Sequence, residues 1–316
     1  MGDDAELPER WTAVVNPAAG RGRGPLTLPA VADALAAVDR DVQIRVSADL
    51  ADAITVATAA LDDGRGVVAC GGDGTVCSLA GLAAERDGVL AIVPSGSGND
   101  LARHLAVPRR DASAAAELLT TGLVTRVDLG RADAEDGSTA WFTTVANAGF
   151  DAEANRWANG VERIGGTPLY VLAVLRTLSS YVPRRVRVIV DDDVVDTDAW
   201  LVAVANTRSY AGGMVIAPGA SLDDGTLDAC IVGPVSRADF LRTFPKVFSG
   251  THVEHPAVTI RRGRSVRIEM PDATDAPELW ASGERVGPLP GTLRAAPGAL
   301  RVVTPSTPAA APQCAT

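Results

Sequence analysis

The sequence predicts an α/β protein, with an N-terminal doubly wound parallel sheet followed by a β-rich second domain. Three observations predict it. Over roughly the first 125 residues, short apolar runs alternate with helical patterns at the spacing of β–α units. Three of those runs end in glycine-rich loops, the position where open parallel sheets bind ligands. After that point the apolar runs follow one another with few helical patterns between them. A chain of 316 residues that is 47% apolar can bury the core of two domains.

Taken in order, Thr12–Val15 reads as a strand entering Asn16-Pro17-Ala18-Ala19-Gly20-Arg21-Gly22-Arg23-Gly24, a loop with two arginines. A helix follows from about Pro29 to Val38, then a strand at Val42–Val46, a helix at about Asp49–Leu61 and a strand at Val67–Cys70. The stretch that organises the chain comes next, Gly71-Gly72-Asp73-Gly74-Thr75, with a helix near Val76–Ala84 behind it. Glycines allow the backbone close to an anion, and the N–H groups at a helix start carry partial positive charge that suits phosphate. A carboxylate inside such a turn points to a metal–nucleotide instead of a bare phosphate. A strand at Val89–Val93 enters the third loop, Pro94-Ser95-Gly96-Ser97-Gly98-Asn99-Asp100, and helical segments follow at Leu101–Leu105 and Ala112–Thr121.

From Val124 the pattern is of strands: Val124–Leu129, Trp141–Val145, Arg185–Val190, Ala199–Ala205, Leu227–Val232, Val258–Arg261 and Ser265–Glu269. Two helices interrupt them. One spans Thr167–Tyr181, with Thr167 as N-cap and Pro168 at N1, and is apolar over more than one face. The other spans about Arg237–Val247, with Asp239 and Lys246 near its ends. The Pro- and Ala-rich stretch 304–316 is expected to be a disordered tail.

Composition narrows the function. A net charge of −10, from 29 Lys and Arg against 39 Asp and Glu, argues against nucleic acid as a partner. Basic clusters at Arg184, Arg185, Arg187 and at Arg261, Arg262, Arg264 read as solvated strand faces. The acidic start lacks the apolar region of a signal peptide, and no apolar run reaches the ~20 residues that cross a bilayer, so a soluble cytoplasmic protein is expected. Cys70, Cys77, Cys230 and Cys314 show no CxxC spacing and read as reduced. His252, Glu254 and His255 lack a third spaced ligand and read as an exposed loop.

The standard phosphate signatures are missing. No GxxxxGK[ST] occurs, and the chain's only lysine, Lys246, is far from every glycine-rich loop. No complete GxGxxG follows the first strand, and GxSxG and HExxH are absent. What remains is a kinase-like site that holds phosphate through backbone N–H groups, hydroxyls and arginine.

Five motifs then occur in order: Asn16-Pro17-Ala18-Ala19-Gly20, Gly71–Thr75, Pro94–Arg103, Asn147-Ala148-Gly149-Phe150-Asp151, and Asp223-Asp224-Gly225-Thr226-Leu227-Asp228, with Ser282-Gly283-Glu284 beyond them. This set resembles the diacylglycerol kinase catalytic family, which includes soluble bacterial lipid kinases and the sphingosine and ceramide kinases. The resemblance implies a Rossmann-like ATP-binding domain over 1–125 plus about 294–303, and a β-sandwich lipid-substrate domain over 126–293. It places the active site in the cleft between them. It also implies transfer of the γ-phosphoryl group of Mg2+-ATP to a lipid hydroxyl, such as that of diacylglycerol or a long-chain base. The protein would then act peripherally at the membrane, and relatives are often homodimers. Gly71, Gly72, Asp73, Gly74 and Thr75 would lie on the nucleotide, supported by Asn16, Ser47, Ser97, Asn99 and Asp100. Glu284 would be the general base and Asp73 a second catalytic acid, while a magnesium would sit on the Asp224 carboxylate and on the backbone carbonyls of Ser221 and Thr226. The family usually has Asp-Gly-Glu where this chain has Ser282-Gly283-Glu284, which leaves a weaker catalyst, or a regulatory protein that binds nucleotide, as an alternative. NAD kinase shares the Gly71–Thr75 motif and is the other alternative.

Overall fold

A computed structural model describes residues 6–19, 28–149, 181–273 and 277–306. The arginine-bearing part of the first loop, the expected helix up to Ser180, Cys314 and the tail from residue 307 lie outside the described residues. The chain divides into two compact units, Met1–Val127 with Ala299–Thr316, and Asp128–Gly298.

The first unit is a parallel sheet with helices. Strands β1 (Arg10–Val15), β2 (Asp41–Val46), β3 (Gly66–Gly71) and β4 (Val89–Pro94) lie in the order β2-β1-β3-β4, all pairs parallel. Every residue of β3 and β4 is buried, as expected of parallel strands covered on both faces, whereas edge strand β2 has no buried residue and is mostly exposed. The helices are α1 (Leu28–Ala36), α2 (Leu50–Asp62), α3 (Asp73–Glu85), α4 (Asp100–His104) and α5 (Ala112–Thr121). Asp49 and Asp111 cap α2 and α5 by accepting the N–H groups of Asp52 and Ala114.

Helix α3 starts three residues earlier than its apolar pattern suggests. Gly72 adopts an extended conformation (φ −91°, ψ −173°), and Val76 N–H already bonds to Gly72 O. The Gly-Asp-Gly stretch is therefore the helix's first turn.

The second unit is a sandwich. One sheet has the order β12-β11-β10-β7-β14-β15, formed by β7 (Val145–Gly149), β10 (Leu201–Ala205), β11 (Leu227–Val232), β12 (Val258–Gly263), β14 (Glu278–Ala281) and β15 (Glu284–Pro288), all antiparallel. Opposite it lie β8 (Arg184–Val190), β9 (Asp193–Ala199), β13 (Ser265–Glu269) and the start of β16 (Gly291–Thr304). Val202, Val204, Ala229 and Ile231 from the first sheet pack with Val186, Val188, Val266 and Ile268 from the second. The remaining strands are β5 (Leu123–Ala134) and β6 (Thr139–Phe142), an antiparallel pair. The chain passes between units within β5 and within β16, whose Arg301 and Val302 pair with β4.

Several strand expectations need correction. The expected Trp141–Val145 strand divides into β6 and β7, and β9, β14 and β15 gave no clear period. The expected helix at Arg237–Val247 is a short α6 (Arg237–Thr243) followed by a 3-10 turn at Phe244–Phe248. Pro245 has no N–H to continue the α-helical ladder. Among the described residues no helix is long and apolar enough to cross a membrane.

Candidate active site

In the first unit the end of β3, the first turn of α3 and the loop after β4 form one hydrogen-bonded body. Ser95 N–H donates to Gly71 O (2.9 Å). The Asp73 carboxylate accepts the Asn99 N–H on Oδ2 (2.9 Å) and the Asp100 N–H on Oδ1 (2.6 Å). Asn99 is left-handed (φ 52°, ψ 49°), and its amide accepts from Gly96 N–H (3.0 Å) and donates to Gly96 O (2.8 Å). Asp100 is buried and pairs with Arg103 at 2.8 Å. The side chains of Asn99 and Asp100 thus shape the loop from within.

The glycines are dictated by contact. A Cβ on Gly96 would lie 2.4 Å from Gly72 Cα, and one on Gly98 would lie 2.4 Å from Asp73 Oδ2. Among the described residues no side chain caps α3, so the N–H groups of its first turn are available to an anion.

Asn16 joins β1 to this body. Its N–H donates to Cys70 O, its Nδ2 donates to Thr75 Oγ1 (2.9 Å), and its Oδ1 accepts Ala18 N–H. Gly72, Asp73 and Gly74 are half-buried, and Ser97 is exposed in the third loop. Ser47 is buried, with its hydroxyl and N–H both directed to Val15 O, so its hydroxyl holds β1 to the end of β2.

In the second unit Glu284 opens β15, directly after a tight turn. Ser282 (φ 48°) and Gly283 (φ 84°) are both left-handed, the geometry of a two-residue type I′ hairpin. Ser282 N–H donates to Val145 O, and Ser282 Oγ accepts from Thr143 N–H at 3.3 Å. Glu284 is exposed as a residue, yet the chain around its carboxyl desolvates it enough to raise its pKa above the usual glutamate value. Asn147, from the fourth motif, lies on β7 opposite Trp280.

The turn expected to hold magnesium is shaped by contacts among its own side chains. Asp224 Oδ1 accepts the Thr226 N–H and hydroxyl (2.9 and 2.7 Å), Asp224 Oδ2 lies 3.6 Å from Arg262, and the Ser221 hydroxyl donates to Asp223. Asp128, which the sequence reading missed, accepts Gly225 N–H (2.6 Å) and Gly298 N–H (2.7 Å) and is buried. Its signal was a lone acid within the apolar run Val127–Leu129. Among the described residues no three His, Cys, Asp or Glu side chains converge to hold a metal ion. The expected ligands here are the Asp224 carboxylate and the backbone carbonyls of Ser221 and Thr226, whereas the contacts above engage the side chains of the turn.

Family comparison decides what these loops belong to. The diacylglycerol kinase catalytic domain model matches residues 10–132, and the YegS C-terminal NAD kinase beta sandwich-like domain model matches residues 144–304. A diacylglycerol kinase of Mycobacterium tuberculosis is 36% identical over 299 residues, covering 93% of this chain and 94% of its own. The chain belongs to the diacylglycerol kinase family. It is accordingly a kinase, a phosphotransferase, and membership implies the use of ATP. A diacylglycerol kinase of Staphylococcus saprophyticus is 28% identical over 304 residues, covering 95% of this chain and 97% of its own. A crystal structure of a diacylglycerol kinase from Bacillus anthracis has a TM-score of 0.71 at 21% identity, covering 96% of this chain and 99% of that one, and shares the fold.

In this member of the diacylglycerol kinase family the other candidate groups take structural roles. Cys70, Cys77 and Cys230 are buried and form no disulfide with one another. Burial pushes the Cys70 thiol far up and, with Asp228 beside it, the Cys230 thiol up to about 12, so neither is a thiolate near neutral pH. His252 is no part of an exposed loop: it is buried in a 3-10 turn with Nε2 3.2 Å from Ile216 O, and His255 Nε2 lies 3.2 Å from Asp239. Arg185, Arg261 and Arg262 are paired with Asp196, Asp193 and Asp228.

Proposed function

We propose that this protein transfers the γ-phosphoryl group of Mg-ATP to the hydroxyl of a membrane lipid, with diacylglycerol the first acceptor to test. The observation that carries the nucleotide half is the start of α3, where half-buried glycines flank Asp73 and, among the described residues, no side chain satisfies the first-turn N–H groups. These N–H groups bind and orient the nucleotide phosphates, and Asn16 fixes the Thr75 hydroxyl beside them.

Asp73 gives one lone pair on each oxygen to Asn99 and Asp100, which leaves about two acceptor positions unused. Magnesium carried with the nucleotide would neutralise charge on the transferring group, and Asp73 is the carboxylate that would hold it. Glu284 accepts the proton of the lipid hydroxyl. Its raised pKa makes it a stronger base than an ordinary glutamate, and such a base contributes typically 10²–10⁴-fold. Ser282, where the family usually has Asp, leaves Glu284 without a neighbouring acid across the turn.

The test is an acceptor panel: labelled γ-phosphate from Mg-ATP offered to diacylglycerol, a long-chain base, ceramide and NAD. Product on a lipid alcohol supports the proposal; product on NAD alone overturns it. Retained ATP binding with no product would favour the regulatory alternative.

A further inference from the structure

Asn206 follows β10 in the second unit and is fully buried. Its backbone N–H donates to Thr144 O at 2.8 Å, and its Nδ2 donates to Thr143 O and to Asp128 O, each at 3.0 Å. Thr143 and Thr144 are the two residues between β6 and β7, where the chain passes from one sheet to the other. Asp128 lies on β5, so one side chain ties that passage to a third strand. Two carbonyl oxygens at one end of the amide also settle its orientation, because the flipped amide would set oxygen against oxygen.

The other end of the amide is unanswered. Asn206 Oδ1 is buried and, among the described residues, has no hydrogen-bond partner. A buried acceptor of this kind is costly, so stability alone does not account for an asparagine here. What its two donors secure lies downstream. Thr143, held through its carbonyl, donates its own N–H to Ser282 Oγ at 3.3 Å, and Ser282 N–H donates to Val145 O at 2.9 Å. These bonds hold the first residue of the left-handed turn, and Glu284 leaves that turn as the first residue of β15. Burial is what raises the Glu284 pKa, and the adjacent cation Arg285 is engaged by Glu278 at 2.6 Å and lies near Asp136.

We propose that Asn206 is a positioning residue: by holding Thr143 O and Asp128 O together it fixes the Thr143–Ser282 contact, and through that contact the direction in which Glu284 leaves its turn. Its consequence for the reaction rests on the lipid-kinase reading; the positioning of Glu284 does not require catalysis.

The test follows the Glu284 carboxyl itself. In the full chain labelled with carbon-13 at glutamate carboxyls, the resonance lost in Glu284→Gln is titrated in each variant, beside single-turnover transfer to diacylglycerol and the ATP dissociation constant. Asn206→Leu keeps the shape and removes both donors. It should move the Glu284 titration down toward the ordinary glutamate value and, as misplacement of a reacting group does, slow transfer at saturating lipid by at least about tenfold, with ATP affinity unchanged. Asn206→Ser, whose hydroxyl can donate to only one carbonyl, should shift both in the same direction by less, and carries the test if the leucine variant does not fold. Ser282→Ala, which removes the oxygen that Thr143 N–H reaches, should reproduce the shift, and combining it with Asn206→Leu should add nothing further. Ser282→Asn, which supplies an acceptor again, should keep the wild-type titration. Ile268→Val, in the core of the same sandwich, should lower the melting temperature and leave the titration in place. A folded Asn206 variant with the wild-type titration, a moved titration with an unchanged rate in an active kinase, or a double variant whose effects add would overturn the proposal. A moved titration with no lipid phosphorylated would remove the kinase reading and leave the positioning standing. Transfer that Glu284→Gln slows and the Asn206 variants do not would do the reverse.

Discussion

The Asp73 carboxylate receives the Asp100 backbone N–H at 2.6 Å, so the acid in the first turn of α3 fixes the start of α4. A second bond, from Asn99 N–H, completes the clamp. One side chain thereby sets the spacing of both glycine-rich loops while keeping lone pairs for a ligand.

Replacing Asp73 by Ala strands two N–H groups of buried residues. Each costs about 1–3 kcal/mol, so the melting temperature should fall along with activity. Asp73→Asn, which can accept one bond in place of two, should recover part of the stability. Thermal unfolding of the three proteins side by side checks this.

Gly96→Ala should be more disruptive than its size suggests. Its Cβ would meet the Gly72 backbone, which cannot rotate away, and crowding of this kind costs typically 1–3 kcal/mol. The two loops would separate and ATP affinity should drop at least tenfold by calorimetry. Gly64→Ala has open space around it, but its φ of 70° carries a backbone cost with no effect on nucleotide affinity, and it serves as the control.

Ser282 occupies a left-handed position that Asn and Asp tolerate better than Ser. Ser282→Asn should stabilise by about 0.5–1 kcal/mol, relieving part of the 1–2 kcal/mol penalty for that conformation, and raise the melting temperature by a few degrees. Its Oδ1 can replace the serine oxygen that accepts Thr143 N–H.

Burial lowers the pKa of His252 below its usual 6.5, so the ring is neutral in the fold. Above pH 6.5 both folded and unfolded chains carry it neutral and its contribution is complete; as pH falls from 6.5 toward the lowered folded-state value, the unfolded chain takes the proton first and stability is lost. Denaturant titrations between neutral pH and pH 5 should show this loss, reduced in His252→Gln.

Much of this was legible from sequence because the signals were local. The apolar runs of β3 and β4 are continuous since both faces are buried, and α5 begins and ends where its Asp cap and Gly122 dictate. The start of α3 was misplaced because glycines mask helical periodicity while the backbone hydrogen bonds ignore it. Strands β14 and β15 are four and five residues long, too short for a clear period, though the Ser282-Gly283 pair is a turn signal. Strand β9, at the sheet edge, is largely exposed and rich in aspartate. The Asp73 clamp joins residues 26 and 27 positions apart, and the Asp128 anchor reaches Gly298 across 170, contacts that no local pattern encodes.

The most direct measurement is single-turnover transfer of labelled γ-phosphate from Mg-ATP to diacylglycerol in mixed micelles, across pH, for wild type and Glu284→Gln, with the ATP dissociation constant of each measured alongside. Protonation removes the base, so the wild-type rate should fall on the acid side at a pH above the ordinary glutamate range. Glu284→Gln should lose at least about 10²-fold in rate with ATP affinity unchanged. Equal rates for the two proteins, or ATP binding with no lipid product at any pH, would contradict the account.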